Sequence, residues 1–336
     1  MQAKRQVFFN SDGRGIALLT VAVHSLLSAN DPNCPVHLFV VHERTFAEQG
    51  GIGRIKRIVD RFPFATVWFG DFTPLLEHYA DLFTYGGSKM VWAFPLCDRI
   101  LPTDVSGNIV YIDIDMLVRK DLGELFELNL GRNGLIAAAV NESRREHRPY
   151  LVEAGWPAEA GYSFNNACTV LDLDAFRREG LSSKMIDWYR EHRDVAINTD
   201  QDCQNIAYGA RTKRLHPKWN YTDGWLERLP KLNPFAHEWR VFPPLEMLEA
   251  MLDPCIIHYI GRRKPTAWTH RPERKAFRRA MEETGLIRRG ERLPGETMPR
   301  IALACAFDVY HALLRLYARL LLVCLRRWRA MRLSAR

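Results

Sequence analysis

The chain has 336 residues, 47% of them hydrophobic and 11% aromatic, enough for one large globular domain or a domain with an appendage. Its formal charge of +8 is local: residues 298–336 hold 8 Arg against 1 Asp while the rest is near neutral, which argues against a nucleic-acid-binding face. The 7 cysteines are odd in number, scattered and without a CxxC pair, which favours reduced thiols in a cytosolic protein over a disulfide scaffold or a zinc site.

The first residues, MQAKRQVFFN, run directly into an apolar strand pattern and lack the long apolar stretch of a signal peptide. RQVFFN predicts a short strand closed by the polar turn SDGRG, and IALLTVAVHSLLSAN has helical spacing that ends at Asn30 and Asp31-Pro32. VHLFVVHE predicts a second strand, FAEQGGIGRIKRIVDRF a helix despite its glycines, and ATVWFGDF a third strand. WAFPLCDRILP predicts a helix disturbed by proline, leading into NIVYIDIDMLV as a fourth strand. LIAAAVNE and NACTVLDLDAF predict further strands, LSSKMIDWYREHR a helix and CIIHY a late strand. Residues 216–239, rich in aromatics and prolines, predict a long ordered loop over a site, and 271–297 a charged connection to the tail. The alternation predicts an α/β fold with a mostly parallel central sheet flanked by helices. Ligands in such sheets sit beyond the carboxyl ends of the strands, where SDGRG, Asp113 and Asp115 all fall.

Asp113 and Asp115 lie two apart in an otherwise apolar segment, so an extended chain points both carboxylates to one side. Like charges held together ask for a cation, and a hard divalent ion such as Mn²⁺ or Mg²⁺ takes such ligands together with substrate phosphates. A strand-terminal pair in which one Asp caps a turn is the plainer alternative. His258 closes the apolar run CIIHY as a metal-capable residue or as a satisfied buried histidine. Gly261-Arg262-Arg263-Lys264-Pro265 suits a diphosphate or a solvated basic loop. In NTDQDCQN, Asn198 or Asp200 can cap a helix, which leaves Gln201 and Asp202 unexplained.

Taken in order, FFNSD, YIDIDMLV, FNNACTVLDLDAFR, TDQDCQN and IIHYIGRRKPTAW resemble glycosyltransferase family 8, most of all its bacterial lipopolysaccharide α-galactosyl- and α-glucosyltransferases, over roughly residues 6–268. The resemblance implies a GT-A fold over residues 1–270, then a connecting segment at 271–297 and a basic amphipathic tail at 298–336. It implies a UDP-hexose donor, a saccharide or glycolipid acceptor and retention of anomeric configuration. Asp113, Asp115 and His258 would bind Mn²⁺ (or Mg²⁺). Asn10 and Asp12 would lie at the nucleotide, Asp12 reading the uracil, with Gly261 and Lys264 at the diphosphate. Asn165 and Asp200 would hold the sugar, and Gln201 would face the anomeric carbon. The chain departs from the family at Trp92-Ala93-Phe94, where Tyr-x-Arg is usual and Lys89 or Arg99 would have to substitute, at Asn141, at Ala167, and at Thr266-Ala267 ahead of Trp268.

In the tail, Asp308, His311, Arg315, Arg319 and Arg326 fall mostly four or seven apart among Leu, Val, Tyr and Ala, which predicts a cationic stripe on an apolar helix. Its ionisable groups interrupt the roughly 20 apolar residues a bilayer span needs. The expectation is a helix lying on an anionic membrane, which would make the protein cytoplasmic and peripheral on the inner face of the cytoplasmic membrane. A helix packed on the body is the alternative. Two other functions fit parts of the pattern. A haloacid-dehalogenase-type phosphatase also ends an apolar strand in DxD, but on its first strand. A membrane-surface protein that binds UDP-sugars with impaired catalysis is suggested by Phe94, Asn141 and Ala167.

Overall fold

The computed structural model describes residues 5–82, 88–131, 136–144, 149–156, 162–197, 199–222, 224–229, 242–261, 264–267, 269 and 273–334. The chain divides into two compact units, one of residues up to Ile114 plus Asp121–Leu215, the other of Asp115–Lys120 plus His216–Arg336.

The first unit is built on a seven-stranded sheet. Its strands are β1 (Arg5–Ser11), β2 (Val36–His42), β3 (Ala65–Asp71), β4 (Asn108–Ile112), β6 (Ile136–Arg144), β7 (Tyr162–Asp172) and β8 (Thr212–Arg214), in the order β3-β2-β1-β4-β7-β6-β8. β1 pairs in parallel with β2 and β4, and β2 with β3, while β7 runs antiparallel between β4 and β6. Strands covered on both faces need continuous apolar runs, and Val7, Phe8 and Phe9 of β1 are fully buried. Each such side chain contributes about 1.5–3 kcal/mol on burial. The expected mostly parallel sheet with flanking helices is what forms.

Four local expectations are corrected. NIVYIDIDMLV is two strands, because the chain turns at Asp113–Asp115 and β5 (Met116–Val118) joins the other unit's sheet. The helix expected around GGIG is two, Arg44–Glu48 and Gly51–Val59, broken at Gly50, whose φ of +79° suits glycine alone. WAFPLCDRILP is split into a 3₁₀ turn at Met90–Trp92 and a short helix at Cys97–Ile100 around Pro95. The last residues of NACTVLDLDAF leave β7 for the helix Leu173–Arg178, which Asp172 caps by accepting from the Ala175 amide at 2.9 Å.

The second unit carries a small sheet in the order β5-β10-β9, with β9 at Tyr221–Thr222 and β10 at Ile256–His258. β5 and β10 run antiparallel and pair Met116 with His258. The charged stretch after residue 271 contains a helix, Arg274–Glu283, and the tail is one helix, Met298–Ser334. An 18-residue window of the tail reaches a mean hydropathy of 1.4, so by length and composition alone it is able to cross a membrane. The polar stripe read from the sequence is largely turned onto the unit itself: Asp308 pairs with Arg274 and Lys275, His311 with Glu227, Arg315 with Glu273 and Arg326 with Glu249. Much of the opposite apolar face is exposed, including Leu313, Leu316, Leu320 and Trp328.

Candidate functional site

In the first unit the site residues gather at the carboxyl ends of β1 and β4 and on β7. Asp12, just after β1, accepts from the Gly15 amide through Oδ1 and pairs with Arg14 through Oδ2 at 2.7 Å. Gly15 has no room for a side chain, since a Cβ would stand 2.4 Å from Ser11 Oγ and 2.5 Å from the Ile114 methyl. Asn10 donates its amide to the Tyr111 hydroxyl at 3.0 Å, and that hydroxyl in turn donates to Asp113. Burial first and the Asp113 charge second push the Tyr111 hydroxyl well above its ordinary range, so it remains a donor. Phe94 stacks on the Tyr111 ring at 4.3 Å and 11°.

β7 carries a register shift against β6, where Ala138 pairs with Thr169 but Ala139 with Asn165. Consecutive strand residues ordinarily point to opposite faces, and a bulge relaxes that rule. Both amides of FNNA therefore serve the helix Thr199–Tyr208: Asn165 donates to the Gln201 side-chain Oε1 at 3.4 Å and Asn166 to Asp200 at 2.9 Å. Asp202 and Asn205 hold that helix in place. Asp202 accepts from the Ile197 amide at 3.0 Å, and Asn205 bonds the Phe164 backbone in both directions. Burial raises the Asp200 carboxyl to about 7, and the neighbouring Asp113 charge adds to the rise.

In the second unit, Asp115 precedes β5 and His258 ends β10. Their Oδ1 and Nε2 atoms are 3.3 Å apart, and Lys264 Nζ holds Asp115 Oδ2. Asn220 accepts at 2.8 Å from His258 Nδ1, an arrangement that fixes the proton there and turns Nε2 toward Asp115 as a ligand atom. Burial opposes ionisation of Asp115, yet His258 and then Lys264 outweigh it and hold the carboxyl far below the usual range. Gly261 has φ +93°, the conformation that this turn demands of a glycine. Asp113 is two residues upstream of Asp115, so chain continuity keeps a second carboxylate near this group. A carboxylate and an imidazole, with a second carboxylate two residues away in sequence, are donor types suited to Mn²⁺ and acceptable to Mg²⁺.

Arg262, Arg263, Trp268 and Asn198 lie outside the described residues, as do the side chain of Asn141 and residues 230–239 of the aromatic loop. The cations expected to replace the family arginine are engaged elsewhere: Lys89 on the Ala80 carbonyl at 2.7 Å, Arg99 on the Ser183 hydroxyl at 2.6 Å. Trp92, Ala93 and Phe94 are buried core. Tyr111 and Asn166 were not singled out by sequence. Tyr111 was findable, since alternate strand positions place it on the Asp113 side. Asn166 was not, because only the bulge brings it to Asp200.

The model of glycosyl transferase family 8 matches residues 102–270. General stress protein A of Bacillus subtilis is 25% identical over 160 residues, which is 47% of this chain and 52% of that protein. Lipopolysaccharide 1,2-glucosyltransferase of Escherichia coli K12 is 26% identical over 201 residues, 58% of this chain and 56% of that one. The chain thus spans about half the length of these curated relatives. The crystal structure of the galactosyltransferase LgtC with donor and acceptor sugar analogues superposes with a TM-score of 0.67 at 20% identity, covering 88% of this chain and 99% of that one. At that identity the likeness speaks for the fold, which is GT-A. With half of its length matched by the family model, the chain belongs to glycosyltransferase family 8.

Proposed function

We propose that this transferase moves a hexose, galactose or glucose, from a UDP-sugar to a saccharide of lipopolysaccharide or a related envelope glycan, with retention and with Mn²⁺ (or Mg²⁺). The observation that carries the reading is the Asp115–His258–Lys264 group two residues after Asp113: an acid that is ionised, an imidazole oriented by Asn220, and a cation beside them. Asp113, Asp115 and His258 would hold the metal, which when bound supplies positive charge to the departing UDP. Lys264 would move from Asp115 to a diphosphate oxygen, and Asp12 would meet the uracil. Asn165 and Asp200 would orient the sugar. Gln201 is a neutral amide and a poor nucleophile, so same-face attack by the acceptor is preferred over a covalent intermediate, with the Gln201 carbonyl oxygen stabilising positive charge at the anomeric carbon.

The tail supports a membrane-peripheral enzyme on the cytoplasmic side, but through its exposed apolar face rather than through the stripe. Spanning the bilayer would break the ion pairs of Asp308, Arg315 and Arg326 and the His311–Glu227 hydrogen bond that fasten the helix to its unit. The test is a panel of UDP-sugars with purified protein, Mn²⁺ or a chelator, and anionic or neutral vesicles. Metal-dependent transfer or slow donor hydrolysis, with co-flotation on anionic vesicles, is expected. No turnover and no UDP binding with any donor would overturn the transferase assignment, and flotation with neither vesicle would overturn the membrane assignment.

A further inference from the structure

We infer that Tyr259 is a positioning residue that couples the tail helix to the diphosphate and metal group of the second unit. The idea rests on the donor-binding role proposed above for Asp115, His258 and Lys264.

Tyr259 is fully buried and follows the ligand histidine directly. Its backbone touches both charged members of the group: its amide donates to the Asp115 carbonyl at 3.0 Å, and its own carbonyl accepts from Lys264 Nζ at 3.0 Å. Its side chain points the other way. The ring packs edge-on against Phe277 at 5.2 Å, and the hydroxyl donates to the Glu273 carbonyl at 2.9 Å, at the start of the helix Arg274–Glu283. That same residue's carboxylate is gripped by Arg315 of the tail. One residue further on, Arg274 donates to the Ala304 carbonyl at 3.0 Å and pairs with Asp308 at 2.7 Å, so the tail holds this helix start at two successive residues.

The connection is made by these bonds more than by packing. A cavity of about 190 Å³ lies where Pro265, Ala267 and Thr269 face Ala304, Cys305 and Asp308, so the loop after Lys264 is not flush against the tail. A shift of the tail would therefore reach Lys264 and Asp115 through Glu273 and Tyr259. Membrane docking of the apolar face would then be felt at the donor group as a change in donor affinity.

Four variants of the full chain test this: Tyr259→Phe, which keeps the ring on Phe277; Arg315→Ala; Arg315→Lys; and Arg326→Ala as a control, whose partner Glu249 lies off the relay. Hydrogen exchange over residues 256–264 is read in the protein without donor, and KM for the donor and kcat are read separately. Faster exchange is expected in Tyr259→Phe and Arg315→Ala, with donor KM rising about 3- to 10-fold, kcat changing less than about twofold, recovery in Arg315→Lys and no change in Arg326→Ala. A fifth variant combining Tyr259→Phe with Arg315→Ala should be no worse than the worse of the two single ones, since both cut one connection. Unchanged exchange, or losses that multiply in the double variant, would overturn the coupling. Faster exchange in a protein that accepts no UDP-sugar would leave the coupling standing and remove the transferase assignment instead.

Discussion

Asp200 of the first unit and Asp115 of the second are both partly buried carboxyls, yet one is raised to about 7 and the other is held far below the usual range. Burial acts on both in the same direction. What differs is the company: Asp200 has a neutral amide, Asn166, and a like charge at Asp113, whereas Asp115 has His258 and Lys264. Desolvation sets the cost of a charge, and the nearest partners decide whether the charge is kept. The region expected to carry the metal and diphosphate is thus prepared for ionised ligands, and the region expected to hold the sugar for a carboxyl that keeps its proton to near neutrality.

The sharpest way to break the contrast is to neutralise one acid on each side. Asp115→Asn and Asp113→Asn should each lower metal-dependent transfer by about 10²-fold or more. Only Asp115→Asn should also lower Tm, because it strips Lys264 of its counterion, while far-UV circular dichroism stays native in both. Wild-type transfer rates in either variant would remove that residue from the metal set.

A smaller effect is expected at Tyr111, whose hydroxyl supports Asp113 from the first unit. Tyr111→Phe keeps the stack on Phe94 but loses a hydrogen bond to a carboxylate, worth about 1.5–3 kcal/mol. The Mn²⁺ concentration for half-maximal activity should rise by about 10- to 100-fold, since every 1.4 kcal/mol is tenfold. An unchanged metal titration would mean that Asp113 is positioned without this bond.

The smallest effect concerns stability against pH. The Asp200 carboxyl titrates near 7 in the folded chain and near its ordinary 3.8 when unfolded. Between those values the unfolded chain releases a proton that the folded chain retains, so this group costs stability progressively as pH rises through the window and costs nothing below it. Asp200→Asn should therefore raise Tm by a few degrees at pH 8, with the gain fading toward pH 4. A gain that is constant with pH would show that Asp200 is not the source.

How much of this was legible in the sequence depended on the range of the interactions. The parallel strands were readable because burial on both faces forces runs such as VFF and LFVV, and the site motifs because they close those runs. The turn inside VYIDIDMLV was not readable: an apolar segment looks the same whether it stays in one sheet or changes sheets, and the partner that draws Met116–Val118 away is near residue 258. The tail illustrates the same limit. Its stripe was visible from spacing, but the side it faces was set by Glu227, Glu249 and Glu273, far away in sequence, so water and lipid were the only partners spacing could suggest. Phe94 looked like a lost arginine and is a core aromatic on the Tyr111 ring, which only the neighbouring strand reveals.

The excursion of Asp115–Lys120 into the second unit bears on how the chain can be cut and how it must be made. A fragment beginning at His216 would lack β5, leaving β10 with an unpaired edge, while a fragment ending at Leu215 would carry β5 with nothing to pair. Neither unit is a transferable module. During synthesis β5 leaves the ribosome about 140 residues before the strand it joins, so the DxD turn stays unsettled until more than three quarters of the chain has appeared.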